Sequence, residues 1–427
     1  MSRAVQALVL AAGKGTRMWS DLPKVLHEIF SRPLLDYPLE TLRQLGIKHP
    51  IVVVGWGREQ VLAHLNGNAQ AVVQSPQWGT GHAVQVARSK INLRESILIW
   101  PADMTLLEKS TIQKLIQEHR RSRAAVTILS SFMIHPTGYG RIVRRGGRVV
   151  DIREELDASP SEKRINEINT GIYLFEPKPL LGALKKIRPT NQKKEYYLTD
   201  TVRLIDEAGG LVQAFPYASP GEAQGINSQA DLARAFKTLN QQTIKKLQIQ
   251  GVTIVFPEQT FIAPDVRIGA GSVIHPWTYI EGKVRIGRQC QIGPFAKIRS
   301  GTVLGDQVVI GSFVEVVRSK IGNKVFAKHL SYLGDAVVGD QTNIGAGTIT
   351  ANYDGKKKNK TRIGKKALIG VDTVLIAPVR IGDHAKTGAG AVLKKGTRVG
   401  KGETFVGVPA RSLKDKDKWP RQFSTAR

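Results

Sequence analysis

The chain has 427 residues, 41% of them hydrophobic, which is enough apolar material for two or three domains with sizeable cores and excludes disorder over most of its length. A single cysteine, Cys290, rules out a disulfide framework within the chain and fits a reducing compartment. Sixty-three Lys and Arg against 35 Asp and Glu give a net charge of +28, but aromatics are only 6% and no RNA-binding signature accompanies the charge, so it reads as a diffuse basic bias that attracts polyanionic small substrates, with no nucleic-acid partner expected.

The apolar run at the N-terminus is short and flows straight into a glycine-rich turn, so it predicts a first β-strand, at Ala7–Ala11, and not a signal peptide. No apolar run reaches the roughly 18 residues of a membrane span. A cytoplasmic protein with no membrane partner is therefore expected. Further strands are predicted at 51–54, 71–73, 97–100, 125–129, 142–143, 149–151, 170–175 and 211–215, with helices at 33–45, 82–88 and 111–119. This alternation predicts an α/β domain over 1–227 with a mostly parallel sheet, whose ligands sit beyond the carboxyl ends of the strands. Residues 228–250 are polar, helix-prone and free of Gly and Pro, and predict a linker helix.

From 251 to 427 the pattern changes to a repeat of six. Ile286, Ile292, Ile298, Leu304 and Ile310 are six apart, and the spacing resumes at Val338 and Ile344, at Ile363 and Ile369, and at Ile381. Such a period marks a parallel β-helix, in which three hexads close one triangular coil of about 18 residues and stacked coils bury a continuous core. The register breaks around 319–333, where His329 lies, and again at 350–362, a strongly cationic stretch that reads as a loop on one face.

Candidate chemistry begins directly after the first strand. Gly13 and Gly15 let the backbone approach a phosphate, and Arg17 and Lys24 follow closely, a combination that suits a triphosphate. Asp103 follows the strand at 97–100 and Asn227 precedes the linker helix; either alone reads as a turn or cap residue.

The stretch Leu10–Lys24 resembles the signature of the sugar nucleotidyltransferases. Gln74–Ala83, Pro136–Ile142, Glu167–Gly171, Glu195–Asp200 and Gly225–Asn227 follow in an order similar to the N-acetylglucosamine-1-phosphate uridyltransferase half of the bacterial bifunctional GlmU family. The resemblance implies a Rossmann-like nucleotidyltransferase domain that joins UTP to N-acetylglucosamine 1-phosphate. It implies that Leu10, Ala11, Ala12, Gly13 and Lys24 hold the nucleotide, that Gln74, Gly79 and Thr80 read the base, and that Gly140, Glu154, Asn169 and Thr170 bind the sugar. Asp103 and Asn227 would hold Mg²⁺, and Arg17 and Lys24 would be catalytic. A phosphate oxygen would attack the α-phosphorus directly with no general base, because the nucleophile is already an anion. Trp100-Pro101-Ala102-Asp103 departs from the family's usual stretch but keeps the aspartate, and Leu156 stands where a lysine is expected.

The segments Ala327–Asp335 and Asn343–Gly355 resemble the second half of the same family, a left-handed parallel β-helix that assembles as a homotrimer and moves acetyl from acetyl-CoA to glucosamine 1-phosphate. By that resemblance His329 is the base, a role that suits an imidazole. Arg299, Tyr332, Asn343, Asn352 and Tyr353 would bind the sugar phosphate, and Ala346 and Ala389 would meet acetyl-CoA. The cationic loop at 356–362 would attract CoA phosphates. Val317 and Val371 replace a family lysine and serine, and the solenoid reads about two coils short before Arg299. Arg318 is adjacent to Val317, but strand alternation would turn it to the opposite face.

Overall fold

The computed structural model describes residues 4–414, and the chain divides into two compact units, Met1–Thr238 and Leu239–Arg427. In the first unit, strands β1 (Val5–Ala11), β2 (Ile51–Val54), β3 (Gln70–Val73), β4 (Ser96–Pro101), β5 (Val126–Phe132), β6 (Arg141–Arg145), β7 (Arg148–Arg153), β8 (Glu167–Phe175) and β9 (Val212–Phe215) form one sheet. Its order is β9-β5-β8-β4-β1-β2-β3, with the β6–β7 hairpin attached to β8. The half built on β4-β1-β2-β3 is parallel. The expectation of a mostly parallel sheet needs one amendment: β8 runs antiparallel to both β4 and β5, and the hairpin adds further antiparallel pairs.

Helices α1 (Asp36–Gln44), α2 (Arg58–Leu65), α3 (Thr80–Val86), α4 (Lys109–Ser122), α5 (Pro177–Leu184) and α6 (Asp200–Glu207) surround this sheet. Two buried clusters separate by strand parity. Leu8, Val53, Ile97 and Ile99 belong to one and Val9, Val52, Val54 and Leu98 to the other, as side chains alternate across a sheet covered on both faces. Among the described residues no helix is long and apolar enough to cross a membrane.

Helix α7 spans Gln229–Ile249, and the boundary between the two units falls inside it. Ser228 caps it: the Ser228 hydroxyl accepts from the Asp231 backbone N–H at 3.2 Å, and the Asp231 carboxylate accepts from the Ser228 hydroxyl and from the Asn227 backbone N–H. The cap role is thus filled by Ser228, and the Asn227 side chain is left for other work.

The second unit is a left-handed parallel β-helix. Three sheets of short parallel strands form its faces; they begin at Thr253–Ile254, Phe261–Ile262 and Arg267–Ile268. Val273 pairs with Gln291 and Gln291 with Val309, eighteen residues per coil. The aliphatic position of each hexad points inward, so that Ile274, Ile280, Ile286, Ile292, Ile298, Leu304 and Ile310 are buried in one column after another. Fully buried Thr and Ser hydroxyls tie successive coils, as where Ser272 donates to the Gly287 carbonyl at 2.9 Å and Thr342 to the Gly364 carbonyl at 2.7 Å.

Both register breaks have a local cause. Val309 pairs with Phe326 and Phe326 with Asn343, so each of these coils is one residue short. The next coil, from Asn343 to Leu368, is seven residues long in excess and carries the cationic loop as an insertion. That loop is held in place: Asp354 accepts from the backbone N–H groups of Lys356 and Lys357, and Asn359 donates to the Asn352 carbonyl from its backbone at 2.7 Å.

Candidate functional sites

The carboxyl ends of β1, β3 and β4 open into a cavity of about 410 Å³ in the first unit. Leu10, Ala11, Ala12 and Gly13 line it from the end of β1, Gln74, Gly79 and Thr80 from the β3–α3 connection, and Asp103 from the turn after β4. The tight turn after β1 depends on Gly15. Its φ is +65°, and a Cβ there would lie 2.7 Å from the Cβ of Lys24, so glycine lets the lysine-bearing segment pack against the turn. Gln74 is buried and its amide donates to the Gly79 carbonyl at 2.9 Å, which fixes the loop that leads into α3.

Lys24 sits at the centre of the polar groups. Its ammonium is 2.5 Å from Asp103 Oδ2 and 3.0 Å from Asn227 Oδ1. Asp103 is positioned from both sides: the Ala102 N–H donates to the Leu10 carbonyl, the Ile226 N–H donates to the Asp103 carbonyl, and the Trp100 indole, buried below, donates to the Met104 carbonyl at 2.9 Å. The unusual Trp100-Pro101-Ala102 stretch therefore leaves the aspartate in place. One carboxylate oxygen and one amide oxygen already converge on a single cation. That donor set fits a divalent ion of the Mg²⁺ type, which accepts one or two protein oxygens when phosphates supply others. Among the described residues no cluster of three or more His, Cys, Asp or Glu side chains could hold a metal without such help.

Gly140, Glu154 and Asn169, expected at the sugar, lie close to one another but are not part of the cavity lining. The Asn169 N–H donates to the Gly140 carbonyl at 2.8 Å, and a Cβ on Gly140 would lie 3.5 Å from Glu154 Oε2. The register of β8 against β5 slips between Asn169 and Ile172, and the bulge turns Gly171 toward Pro101 of the cavity wall. Burial pushes the Glu154 carboxyl above its ordinary range, against the opposing effect of the Thr199 hydroxyl that donates to it at 3.2 Å.

Two of the expected residues stand apart from the cavity lining. Arg17 is exposed on the turn Thr16–Met18 and does not line the cavity. Thr170 spends its hydroxyl on the Leu129 carbonyl at 2.7 Å, so in this structure it holds the bulge. Sequence reasoning assigned no role to Lys14, Gln77, Pro101 and Glu195, all of which line the cavity. Gln77 and Glu195 stand within segments quoted for the resemblance, and proximity in space was the missing signal.

In the second unit the strand register aligns a column along one edge of the prism. Ser312 pairs with His329, the Asp372 N–H donates to the Ala346 carbonyl, and the Gly390 N–H to the Val371 carbonyl. His329, Ala346, Val371 and Ala389 thereby occupy equivalent places on successive coils. The face just past this edge carries Tyr332 and Asn352, which crowd Gly334 so closely that a Cβ there would meet the tyrosine hydroxyl at 2.6 Å and the Asn352 amide at 2.7 Å. Glu315 pairs with Tyr332 and accepts from Arg299 at 2.9 Å, which brings Arg299 onto the same face. Asn343 lies on the preceding face, between Phe326 and Leu368, and the exposed Tyr353 donates to the Gly355 carbonyl at 2.7 Å.

Arg318 and Val317 point opposite ways as expected, but it is Val317 that faces the core and Arg318 that faces outward. Val317 is buried in the prism, 2% exposed, whereas Arg318 has a φ of +47° that turns it out at the corner. Its guanidinium grips Asp335 with two 2.8 Å hydrogen bonds and also reaches Tyr332, and Asp335 in turn accepts from Asn352 at 2.5 Å.

Comparison with known proteins agrees with both halves. Residues 7–166 match the MobA-like NTP transferase domain, and residues 283–318 and 360–395 match the bacterial transferase hexapeptide repeat. Over 423 residues the chain is 43% identical to the bifunctional protein GlmU of Carboxydothermus hydrogenoformans, an alignment covering 91% of this chain and 95% of that one. The GlmU proteins of Pelotomaculum thermopropionicum (43%, 87% of this chain and 89% of that one) and Fervidobacterium nodosum (40%, 91% and 92%) are similar to it over nearly the same span. The chain belongs to the bifunctional GlmU family. Like its relatives it combines a nucleotidyltransferase domain with a hexapeptide-repeat transferase domain.

Proposed function

We propose that the chain makes UDP-N-acetylglucosamine in two steps. The second unit transfers acetyl from acetyl-CoA to the amine of glucosamine 1-phosphate. The first unit then transfers uridylyl from UTP to N-acetylglucosamine 1-phosphate and releases pyrophosphate. The observation that carries the uridylyl assignment is the convergence of Lys24, Asp103 and Asn227 at a cavity bounded by the Leu10–Gly13 turn.

In the first unit, backbone N–H groups of that turn bind phosphate oxygens, and Gln74 presents an amide suited to a uracil edge. Asp103 and Asn227 hold a divalent cation, taken to be Mg²⁺, which when bound offsets phosphate charge. Lys24, at the same mouth of the cavity, offers its positive charge to the triphosphate. A phosphate oxygen of the sugar 1-phosphate forms the new P–O bond at the α-phosphorus as the bond to pyrophosphate breaks, and no proton need move. Glu154, Asn169 and Gly140 orient the sugar beside Pro101, and Arg17 meets the nucleotide from the exposed turn.

In the second unit, the imidazole of His329 takes a proton from the amine of glucosamine 1-phosphate as that nitrogen attacks the thioester carbonyl, and CoA leaves as its thiolate. Arg299, Tyr332 and Asn352 hold the acceptor, with Asn343 and Tyr353 at its margins, and Arg318 supplies a cation on the face where Val317 cannot. The backbones of Ala346 and Ala389 guide acetyl-CoA along the edge that His329 shares, and Lys356–Arg362 attract its phosphates.

Self-association as a trimer is supported by an apolar ridge on that edge. Trp277, Phe295 and Phe313 stack at 6.1 and 5.1 Å between ring centres, and with Leu330 they are 45–62% exposed. The next corner of the prism carries Gln289, Gln307, Lys324 and Gln341 at the equivalent left-handed positions. An exposed aromatic stack of this kind calls for a partner surface, and further copies of the chain supply one.

The test is direct. Purified protein with Mg²⁺, UTP and a panel of sugar 1-phosphates should release pyrophosphate with N-acetylglucosamine 1-phosphate above the others. Acetyl-CoA with glucosamine 1-phosphate should release free CoA. Silence of the whole panel would remove the first assignment, and absence of CoA release the second.

A further inference from the structure

One face of the β-helix explains part of the +28 charge, and apart from Arg362 its cations are used by neither proposed reaction. On the sheet that begins at Arg267–Ile268, the outward residue of each strand stacks in register on the next. Arg267 pairs with Arg285 and Arg285 with Val303; Val303 pairs with Lys320, Lys320 with Val337 and Val337 with Arg362. Arg362 pairs with Arg380, and Arg380 with Arg398. Every cation of this column is exposed, and its two interruptions are valines; no carboxylate enters it. Strands in a sheet stand about 4.8 Å apart, so the column is a straight row roughly 34 Å long.

Carboxylates do border the row, and they are committed elsewhere. Asp265 accepts from the Lys283 N–H, Asp306 from Arg288, Asp340 from Asn323 and Asp383 from Lys365, each closing a corner of the prism. The corners also add Lys283, Lys324 and Lys366. A sequence scan misses the row because its members are about 18 residues apart and read as diffuse charge.

We propose that this face docks the protein on an anionic phospholipid bilayer. The partner is chosen by shape and chemistry. The sheet sets the cations in one line; Arg267, at its end, lies beside Lys246 of α7, and the others follow on the open face. Five of the six are arginines, whose planar fork pairs with phosphate oxygens in two directions. Juxtaposed cations of this number attract an anionic leaflet cooperatively over a short range. The column holds no aromatic residue on which a base could stack, which is what single-stranded nucleic acid requires. The contact is peripheral and inserts nothing.

The experiment uses the full chain and floated vesicles. Vesicles of phosphatidylcholine with about 30% phosphatidylglycerol should carry the protein at least about tenfold more than pure phosphatidylcholine, and the binding should fall steeply as salt rises through about 50–300 mM. A variant with Arg267→Gln, Arg285→Gln, Arg380→Gln and Arg398→Gln should lose at least about tenfold in vesicle affinity and keep both transferase activities. A control with Lys48→Gln, Lys90→Gln, Lys178→Gln and Lys185→Gln, equal in charge but in the first unit, should bind as the unaltered chain does. Equal loss in the control would overturn the proposal in favour of net charge alone. Failure of anionic vesicles to bind also overturns it, as does tighter binding of duplex or single-stranded nucleic acid at the same salt that the row variant abolishes.

Discussion

Lys24 holds together two oxygens that would otherwise face each other across an open cavity lip. Loss of its ammonium removes both this bridge and the charge offered to the triphosphate. Lys24→Met is expected to lower uridylyl transfer by about 10²–10³-fold, the usual cost of one preorganised charge at a reacting phosphate or oxyanion, with circular dichroism unchanged. Gly15→Ala acts on the same lysine indirectly. The new Cβ would need a left-handed backbone and would sit 2.7 Å from Lys24 Cβ. We expect a loss of about 1–2 kcal/mol in chemical denaturation of the first unit and a fall in uridylyl transfer, with acetyl transfer untouched. An unaltered uridylyl rate would contradict this placement of Gly15. At this scale the sequence was legible where residues are contiguous: the Gly13–Lys24 turn reads directly as a phosphate site. Asp103 and Asn227 read alone as turn or cap residues, and only the fold, together with Ser228 taking the cap, releases Asn227 for Lys24.

Elements carry the acidic and cationic environments. The carboxyl of Glu154, just past β7, is pushed up by burial, while in the unfolded chain it keeps its ordinary value. Between those two values the folded state binds a proton that the unfolded state does not, so this group's contribution to stability falls as pH rises through the window. Glu154→Gln should therefore flatten the decline in denaturation midpoint of the first unit as pH rises above the ordinary carboxylate range. An unchanged slope would mean that Glu154 is well solvated. On the β-helix, Arg318→Gln should raise KM for glucosamine 1-phosphate by about tenfold with a smaller change in kcat, since one charge-assisted contact to a phosphate is worth about 1.5–3 kcal/mol at most. The hexads were legible because their period is strict. Arg318 does lie opposite Val317, but the spacing did not show which of the two faces the core: Val316 and Val317 are both buried, and Arg318 is the one turned outward. The antiparallel course of β8 was invisible for a different reason: an apolar run shows burial but not direction. Helix α5 opens on Pro177, a start signal passed over, and α2 buries only Val61 and Leu65.

At the scale of the whole molecule, two units with separate cores carry two separable chemistries. Damage to the Lys24 cavity should leave CoA release intact, and His329→Ala should leave pyrophosphate release intact. The apolar ridge gives the β-helix a reason to associate. Phe313→Asp places a charge in the stack of Trp277, Phe295 and Phe313, and should reduce the mass measured by light scattering from that of a trimer to that of smaller species. A trimer that survives this change would shift the interface to another face. Family membership was legible from the ordered segments of both halves, but the alignment of His329 with Ala346 and Ala389 along one edge depends on two coils one residue short and one residue-rich insertion, which spacing alone does not resolve.

The most direct measurement is uridylyl transfer as a function of free Mg²⁺, compared between the unaltered chain and Asp103→Asn. With the carboxylate gone, the half-saturating Mg²⁺ concentration should rise at least about tenfold and the rate at saturation fall about a hundredfold. Identical Mg²⁺ curves for the two proteins would contradict the placement of the cation between Asp103 and Asn227.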